Sequence, residues 1–198
     1  EIDISFKTLL YDFYSEDLSE KVKTSLKTIR SNGNYVAAYA PYGYVKSPEN
    51  KHQLVIDEVA SKIVKRIFKE YKAGISMYKI ARNLNDDGIV SPGIYIAEME
   101  GNEQLLARYK QRKPLWNTVA IMRILDNEQY TGTLVYNRYE SKEVGARRCE
   151  TLPEEEWKRV ENCHPPIISK KDFLKIAELR KVNTKSFTDG KRHARHCL

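Results

Sequence analysis

Residues 57–88 read DEVASKIVKRIFKEYKAGISMYKIARNLNDDG, and this stretch decides the fold because it predicts two consecutive helices. Asp57 and Ser76 can cap helices over residues 58 to about 72 and 77 to about 86, and a glycine follows each helix. Apolar residues at helical spacing give each helix an inward face, so we expect the two to pack as a pair. The inward faces comprise Val59, Ala60, Ile63, Val64, Ile67, Phe68 and Tyr71 in the first helix and Met77, Ile80, Ala81 and Leu84 in the second.

A third helix follows only after a long interval. Trp116 and Asn117 open it, and it extends to about residue 126. Residues 89–115, before it, show no clean period and contain two prolines and two glycines, which predicts a long loop. The expected buried face of the third helix is Ala120, Ile121, Ile124 and Leu125, and helical geometry then directs Val119, Arg123 and Asn127 away from the core.

Three helices in this order match a helix-turn-helix unit. The recognition helix of such a unit enters the major groove of DNA with its N-terminus first, where short polar side chains reach base edges. The pattern predicts base contacts from Asn117, Thr118 and Arg123. An ordinary three-helix core explains the same pattern, and the interval of 27 residues is longer than a simple helix-turn-helix has. Both interpretations stay open at this point.

On the N-terminal side, residues 5 to about 31 predict one long helix, and Gly33 follows it as a stop. A helix of about 27 residues would measure about 40 Å, more than a compact domain of this size needs. We therefore expect this helix to present a partner surface, to act as a spacer, or both. Its expected apolar face begins with Phe6, Leu9, Leu10 and Phe13.

Short strands complete the expected architecture. Residues 40–44, APYGY, form a rigid aromatic connector, and residues 53–56 predict a short strand. Two more strands are predicted over residues 131–139 and 157–160. The predicted fold class is α+β and mainly helical, with a long N-terminal helix, a helix-turn-helix-like three-helix unit, a small β-sheet and a C-terminal helix.

That C-terminal helix is expected over residues 170 to about 182, with Ser169 as its cap. Past Asn183 the chain is polar and basic, and we expect it to be loose. The apolar side of the helix comprises Phe173, Ile176, Ala177 and Leu179.

Positive charge is concentrated in the C-terminal half. The 198 residues include 34 Lys and Arg against 27 Asp and Glu, a formal net charge of +7. Residues 1–34 sum to −1 and 35–100 to +1, whereas 101–148 sum to +4 and 149–198 to +3. Because local charge binds a polyanion, the basic side chains of the last two segments are the first candidates for phosphate contact, with a solvated surface as the alternative. They are Arg108, Lys110, Arg112, Lys113, Arg147, Arg148 and the tail 191–195.

Composition excludes several classes of protein. With 41% hydrophobic and 10% aromatic residues the chain is too apolar to be disordered throughout, and it has no run of about 18 apolar residues that could cross a membrane. Cys149, Cys163 and Cys197 form no CxxC pair, which suits a reducing compartment, so a cytoplasmic location without membrane contact is expected. The chain begins at Glu1 without Met or a signal segment, and we expect it to be part of a longer protein.

A set of short motifs occurs along most of the chain in a fixed order. They are LSEK at 18–21, APYGY at 40–44, IARNLNDDGI at 80–89, Trp116, ILDNEQYTG at 124–132 and NCHPPIIS at 162–169 followed by Phe173. Each motif is weak alone, but the order and spacing together are specific. With these motifs the chain resembles the large serine recombinases.

The resemblance implies a domain organisation. Residues 1–34 correspond to the C-terminal part of a linker helix from a catalytic domain, 35–183 to the DNA-binding recombinase domain, and 184–198 to a flexible basic tail leading to a zinc ribbon. In the family a serine attacks a DNA phosphate, and the phosphoserine link is religated after strand rotation, without metal or high-energy cofactor. The family's Tyr-x-Arg-x-Ser motif is not in this sequence. We therefore expect no catalytic residue, cofactor or metal in this chain, with zinc only in the downstream ribbon.

The resemblance also implies partners and further contacts. The partner is double-stranded attachment-site DNA, used for integration or excision of a mobile element, with the full-length protein a homodimer or tetramer on that DNA. In the family the end of the long helix approaches the minor groove, and the connector after it follows the groove. The residues expected to contact DNA there are Lys23, Lys27, Arg30 and Tyr42, and Arg138 is expected to contact phosphate. Solvation of the helix end is the alternative for the first three, and packing within the connector is the alternative for Tyr42.

Two other functions stay open on the sequence. One is a helix-turn-helix transcriptional regulator that dimerises through the long helix. The other is a metal-dependent nuclease that uses Asp86, Asp87 or the acidic run 154–156. A metal set is not predicted, because the spacing of the remaining candidates matches no standard zinc finger or ribbon. Those candidates are Cys163, His164, His193, His196 and Cys197.

Overall fold

A computed structural model describes residues 2–112, 115–140 and 149–194. The fold is mainly helical α+β, as the sequence predicts. Its helices are α1 (Ile2–Ser31), α2 (Glu58–Lys72), α3 (Met77–Asp86), α4 (Pro92–Met99), α5 (Glu103–Arg112), α6 (Thr118–Leu125) and α7 (Lys170–Ala194). Its strands are β1 (Tyr44–Lys46), β2 (Leu54–Ile56), β3 (Leu134–Tyr136), β4 (Tyr139–Glu140), β5 (Glu150–Thr151) and β6 (Lys158–Val160), and short 3-10 turns lie at Glu128–Thr131 and Glu154–Glu156.

The helices α2, α3 and α6 pack against one another and form the three-helix unit. Both predicted caps are confirmed, since the Asp57 carboxylate accepts from the backbone of α2 and the Ser76 hydroxyl from that of α3. The inward face of α2 is rotated by about one position from the prediction: Val59 is 63% exposed and Ser61 is buried. Val59 lies in the first turn of α2, to the solvent side of the buried face that Ala60, Val64 and Ile67 form.

The aromatic connector leads into a strand that the sequence did not predict. The strands β1 and β2 pair antiparallel, with Tyr44 opposite Ile56. Gly43 just before β1 has φ +99°, and a Cβ there would lie 3.0 Å from Val64 Cγ2 and 3.1 Å from Ile167 Cδ1. Only glycine therefore lets the hairpin lie this close to α2.

The predicted strand over residues 131–139 is interrupted. Thr131 ends a 3-10 turn, Gly132 follows with φ +83°, and Asn137 has φ +61°, so only β3 and the short β4 are extended. The strands β3 and β6 pair antiparallel, as do β4 and β5. The described residues thus contain three two-stranded sheets in place of one small sheet.

The prediction of a long loop over residues 89–115 is wrong, because α4 and α5 form a helical hairpin there. Pro92 occupies the first turn of α4, a favourable position for proline, and the Asn102 side chain accepts from Leu105 N at 3.0 Å at the start of α5. A Cβ on Gly93 would lie 3.0 Å from the Tyr109 ring, so the two helices can approach closely. The apolar residues of α4 are consecutive, which leaves no helical period to detect.

The two terminal helices, α1 and α7, expose more of their apolar side chains than the helices of the three-helix unit do. The long helix α1 is confirmed, and Gly33 ends it with φ +78° at a point where a Cβ would meet Cys163 Sγ at 3.0 Å. The helix α7 buries Phe173 and Ile176, but Leu179 is 43% exposed, contrary to its predicted inward position. Its backbone is helical as far as Ala194, beyond the predicted end near residue 182.

In the part of the chain that the structure describes, no helix has both the length and the apolarity needed to cross a membrane.

Candidate nucleic-acid interface

The N-terminus of α6 is fixed by its own cap. The Asn117 side-chain oxygen accepts a hydrogen bond from Ala120 N at 2.9 Å. Asn117 is exposed, but its side-chain oxygen already accepts the capping hydrogen bond. The side-chain NH₂ group therefore remains as the donor that Asn117 can present to another molecule. A second residue, Thr118, is exposed in the first turn beside it.

The start of α6 is held against the end of α3 by the side chain of Asn85. Trp116 N donates to Asn85 Oδ1 at 2.9 Å, and Asn85 Nδ2 donates to Trp116 O at 3.0 Å. The buried Trp116 indole adds a third bond, from Nε1 to Ile89 O at 3.0 Å. These bonds, which we call the Asn85–Trp116 clamp, join α3 to α6 in spite of the intervening α4–α5 hairpin. The long interval therefore does not separate α6 from α3.

The two faces of α6 separate as the sequence predicts. Ile121, Ile124 and Leu125 are buried against the core. Arg123 lies on the opposite side and is exposed. The exposed side also carries apolar residues, since Val119 is 48% exposed. The helix thus offers its predicted recognition face to solvent.

An open groove of about 390 Å³ lies beside this face. It brings Asn117 and Arg123 together with the connector and the α4–α5 hairpin. Among the residues that the structure describes, the buried Oγ of Ser91 in this groove has no hydrogen-bond partner. Its other lining includes Pro41, Gly93, Ile96, Tyr109 and Leu115.

Tyr42 does not lie on the surface, so its prediction as a DNA contact is corrected. Its ring is 6% exposed and packs edge-to-face against Tyr95 and Trp116, with ring centroids 5.4 and 5.5 Å away. Burial raises the pKa of the Tyr42 phenol, and the neighbouring Tyr95 and Asp57 raise it further. The Tyr42 carbonyl accepts from Tyr130 Oη at 2.8 Å. Tyr42 thus positions the connector from within the core.

The predicted phosphate contacts have varied positions. On α5, Arg108 is exposed, and the backbone of Lys110 and Arg112 is helical. Lys113 lies outside the described residues. At the end of α1, Lys23 and Lys27 are exposed and Arg30 is half-buried.

Arg138 is held by an aromatic ring that sequence reasoning did not connect with it. Its guanidinium carbon lies 4.7 Å from the centre of the Trp157 ring, and that of Arg159 lies 5.8 Å from it. Arg159 also forms ion pairs with Glu128 at 2.9 Å and Glu154 at 3.1 Å. Since Arg138 is half-buried in this stack, part of its charge faces the protein. The pairing of β3 with β6 brings Arg138 and Trp157 together, and no local sequence pattern reveals that pairing.

Three of the acidic side chains considered for a nuclease, Asp86, Asp87 and Glu154, are paired with arginines. Asp86 lies 3.6 Å from Arg82, and Asp87 lies 2.6 Å from Arg66. Hydrogen bonds to Glu70 and Asp87 raise the pKa of the Arg66 guanidinium. Across residues 2–112, 115–140 and 149–194, no group of three or more His, Cys, Asp or Glu side chains is placed to hold a metal ion.

The pair Cys163 and His164 has structural contacts. His164 Nε2 lies 2.6 Å from Gln129 O, which fixes this nitrogen as the donor, and burial lowers the pKa of the imidazole. The Cys163 thiol donates to Val160 O at 3.1 Å, and burial raises its pKa. Both side chains thus connect the segment after β6 to the core.

A family model described as Recombinase matches residues 58–183. That range holds α2, α3, the α4–α5 hairpin, α6 and their clamp. The chain therefore belongs to the Recombinase family.

Among curated proteins, the uncharacterized protein YefB of Bacillus subtilis (strain 168) is 36% identical over 74 residues, 37% of this chain and 25% of that protein. Two solved structures are similar over 82% of this chain with a TM-score of 0.49 each, a crystal structure of an LSR–DNA complex and one on the sequence requirements of the Listeria innocua prophage attP site. Their identities are 16% and 17%, over 42% and 51% of those chains. The chain thus spans a quarter to about half the length of these relatives.

Proposed function

We propose that this chain is the DNA-binding region of a large serine site-specific recombinase, and that it recognises the attachment-site DNA of a mobile element. The observation that carries the proposal is the Asn85–Trp116 clamp, which anchors the exposed helix α6 inside the range matched by the Recombinase family and so supports its role as a recognition helix. A recognition helix needs a rigid base and an exposed N-terminal half, and α6 has both.

The charges around α6 support a polyanionic partner. Arg123 lies on α6 itself, and Arg108 is exposed on the α4–α5 hairpin that borders the same groove. Such side chains pair with phosphate or with the O6 and N7 acceptors of guanine. Lys23 and Lys27 supply a second set at the end of α1, where minor-groove contact is proposed.

The chemistry of the whole protein is part of the proposal. A serine in a catalytic domain would attack the DNA phosphate, and this chain would hold that domain on its site. We propose that the chain alone cuts no DNA, because its sequence has no Tyr-x-Arg-x-Ser motif and Asp86 and Asp87 are paired with arginines. Cleavage by the isolated chain with added magnesium would instead support a nuclease.

The test measures binding of the 198-residue chain to duplexes selected by it from a random-sequence library. We expect specific binding that weakens with salt, with a log–log slope of about −0.9 for each phosphate contact. Thr118→Ala combined with Arg123→Ala should lower affinity for the selected duplex by about 1–3 kcal/mol per lost base contact, and affinity for random DNA much less. A slope near zero, or an unchanged preference in the double variant, would overturn the proposal.

Two further variants control for folding. Asn117→Ala removes the helix cap and is expected to destabilise α6 by about 1 kcal/mol, so it cannot report base contact alone. Asn117→Ser keeps a capping oxygen and replaces the side-chain amide by a shorter hydroxyl, so a loss of specificity at unchanged stability would report the loss of the amide's contact. Lys51→Ala in the exposed β1–β2 turn is the matched charge control and should leave the preference unchanged.

A further inference from the structure

The outward face of α6 exposes apolar side chains. Val119 is 48% exposed and Met122 is 36% exposed, three residues apart on one side of the helix. Leu115, just before the helix, is 66% exposed. The opposite side of α6 already fills the core, so these side chains are not needed for folding.

Charge around the apolar side chains indicates which kind of partner covers them. Arg123 follows Met122 directly, and the polar Asn117 and Thr118 precede Val119. An apolar strip on a short helix, bordered by a cation and by hydrogen-bonding groups, is complementary to a polyanion that also presents methyl groups. The floor of the major groove has this chemistry, because thymine carries a C5-methyl group there and phosphates line the groove.

We propose that Val119, assisted by Met122, contacts thymine methyl groups in the major groove, so that the chain selects A·T pairs at defined positions of its half-site. The proposal rests on the proposed function of α6 as a recognition helix. It assigns specificity to apolar residues, in addition to the polar Asn117, Thr118 and Arg123.

The spacing on the helix suits neighbouring base pairs. Three residues advance about 4.5 Å along an α-helix, and successive nucleotides of one strand are about 3.4 Å apart along the DNA axis. Val119 and Met122 can therefore reach methyl groups of adjacent or next-nearest pairs. Val119 is β-branched and rigid, so its position should tolerate only thymine, whereas the flexible Met122 should accept more than one base.

The experiment uses the full chain and duplexes selected by it from a random-sequence library. Each thymine of the selected site is replaced singly by deoxyuracil, which removes the methyl group and keeps every hydrogen-bonding group of the base. At the position that faces Val119 we expect affinity to fall about fourfold, equivalent to about 0.8 kcal/mol for one buried carbon group. Val119→Ala should bind the thymine duplex more weakly and should no longer distinguish it from the deoxyuracil duplex.

Val59→Ala is the matched control, because Val59 is exposed on α2 and the same atoms are removed. It should keep the full response to deoxyuracil. Specific binding that is insensitive to deoxyuracil at every position overturns this inference but does not contradict the proposed role of α6 as a recognition helix. Equal sensitivity of Val119→Ala and the unaltered chain also overturns it. Failure to select any sequence overturns the proposed function itself, so the two failures are distinguishable.

Discussion

The first helix and the three-helix unit use the same apolar residue types to opposite effect. In α1, Phe6, Leu9 and Phe13 are each more than half exposed. In the three-helix unit, Ile80 and Ile121 are fully buried. Both regions show apolar residues at helical spacing, and both are helical. The comparison teaches that such spacing predicts the helix and does not reveal what covers its apolar side.

The difference has an energetic meaning. Burying a large apolar side chain is worth about 1.5–3 kcal/mol, and α1 leaves most of its own in water. Neighbouring exposed apolar side chains such as these are typical of a surface that another molecule covers. The three-helix unit has already gained that energy, so its stability should depend on its core residues and hardly on those of α1.

The largest expected effect tests this dependence directly. Ile121→Ala should lower the free energy of unfolding by about 2–5 kcal/mol, because it leaves a cavity in a core where Ile121 is fully buried. Leu9→Ala, a comparable truncation on α1, should change it by no more than about 0.5 kcal/mol. Urea unfolding of both variants provides the measurement. Similar losses in the two variants would show that α1 is stabilised by contacts as strong as those of the core.

A smaller effect is expected at the junction between α3 and α6. Asn85→Ala leaves the backbone N–H and C=O of the buried Trp116 without their partners, which should destabilise the protein by about 1–3 kcal/mol. It should also weaken DNA binding, since α6 loses its anchor. Asn83→Ala, two residues earlier on α3, is the matched control. If both variants unfold at the same urea concentration, the clamp does not hold the junction.

The smallest expected effect concerns pH and His164. Burial lowers the pKa of His164 in the folded protein, so below pH 6.5 the unfolded chain binds the extra proton more readily. The stability contributed by the neutral imidazole is complete above about pH 6.5 and is lost as the pH falls toward the folded pKa.

The measurement is Tm between pH 7.5 and pH 5 for the unaltered chain and for His164→Gln. The decline of Tm toward low pH should be less steep in the variant than in the unaltered chain. Parallel curves for the unaltered chain and His164→Gln would rule out His164 as the source.

Most helices could be predicted because their signals are local. Caps such as Asp57 and Ser76 and the stripe on α6 lie within one turn or a few turns of the residues that they organise. The helix α4 was not predicted because it lacks such a local signal. Its apolar residues are consecutive and show no helical period, and Pro92 is typical of a loop as well as of a first helical turn. Strand β1 was missed because its partner β2 lies beyond a turn and only pairing reveals it.

The candidate site was predictable in part. The outward direction of Arg123 and Val119 follows from the buried side of α6, and the structure bears it out. Packing of Tyr42 within the connector was one of the two interpretations of the sequence, but its partners could not be predicted, since the aromatic residues that enclose it lie 53 and 74 positions further along the chain. The stack of Arg138 on Trp157 likewise needs the pairing of β3 with β6.

The Asn85–Trp116 clamp has a consequence for how such a protein can diversify. The clamp joins the two ends of the segment between Asn85 and Trp116, so this segment forms a closed loop. Each doubling of the length of a flexible loop costs only about 0.6 kcal/mol more in closure entropy. We therefore expect insertions and deletions in the α5 part of the hairpin to leave the position of α6 unchanged, whereas α4 is tied to the core by Tyr95, whose hydroxyl donates to Asp57 Oδ2 at 2.7 Å. The length of the surface beside α6 could then change without a change in how α6 is anchored.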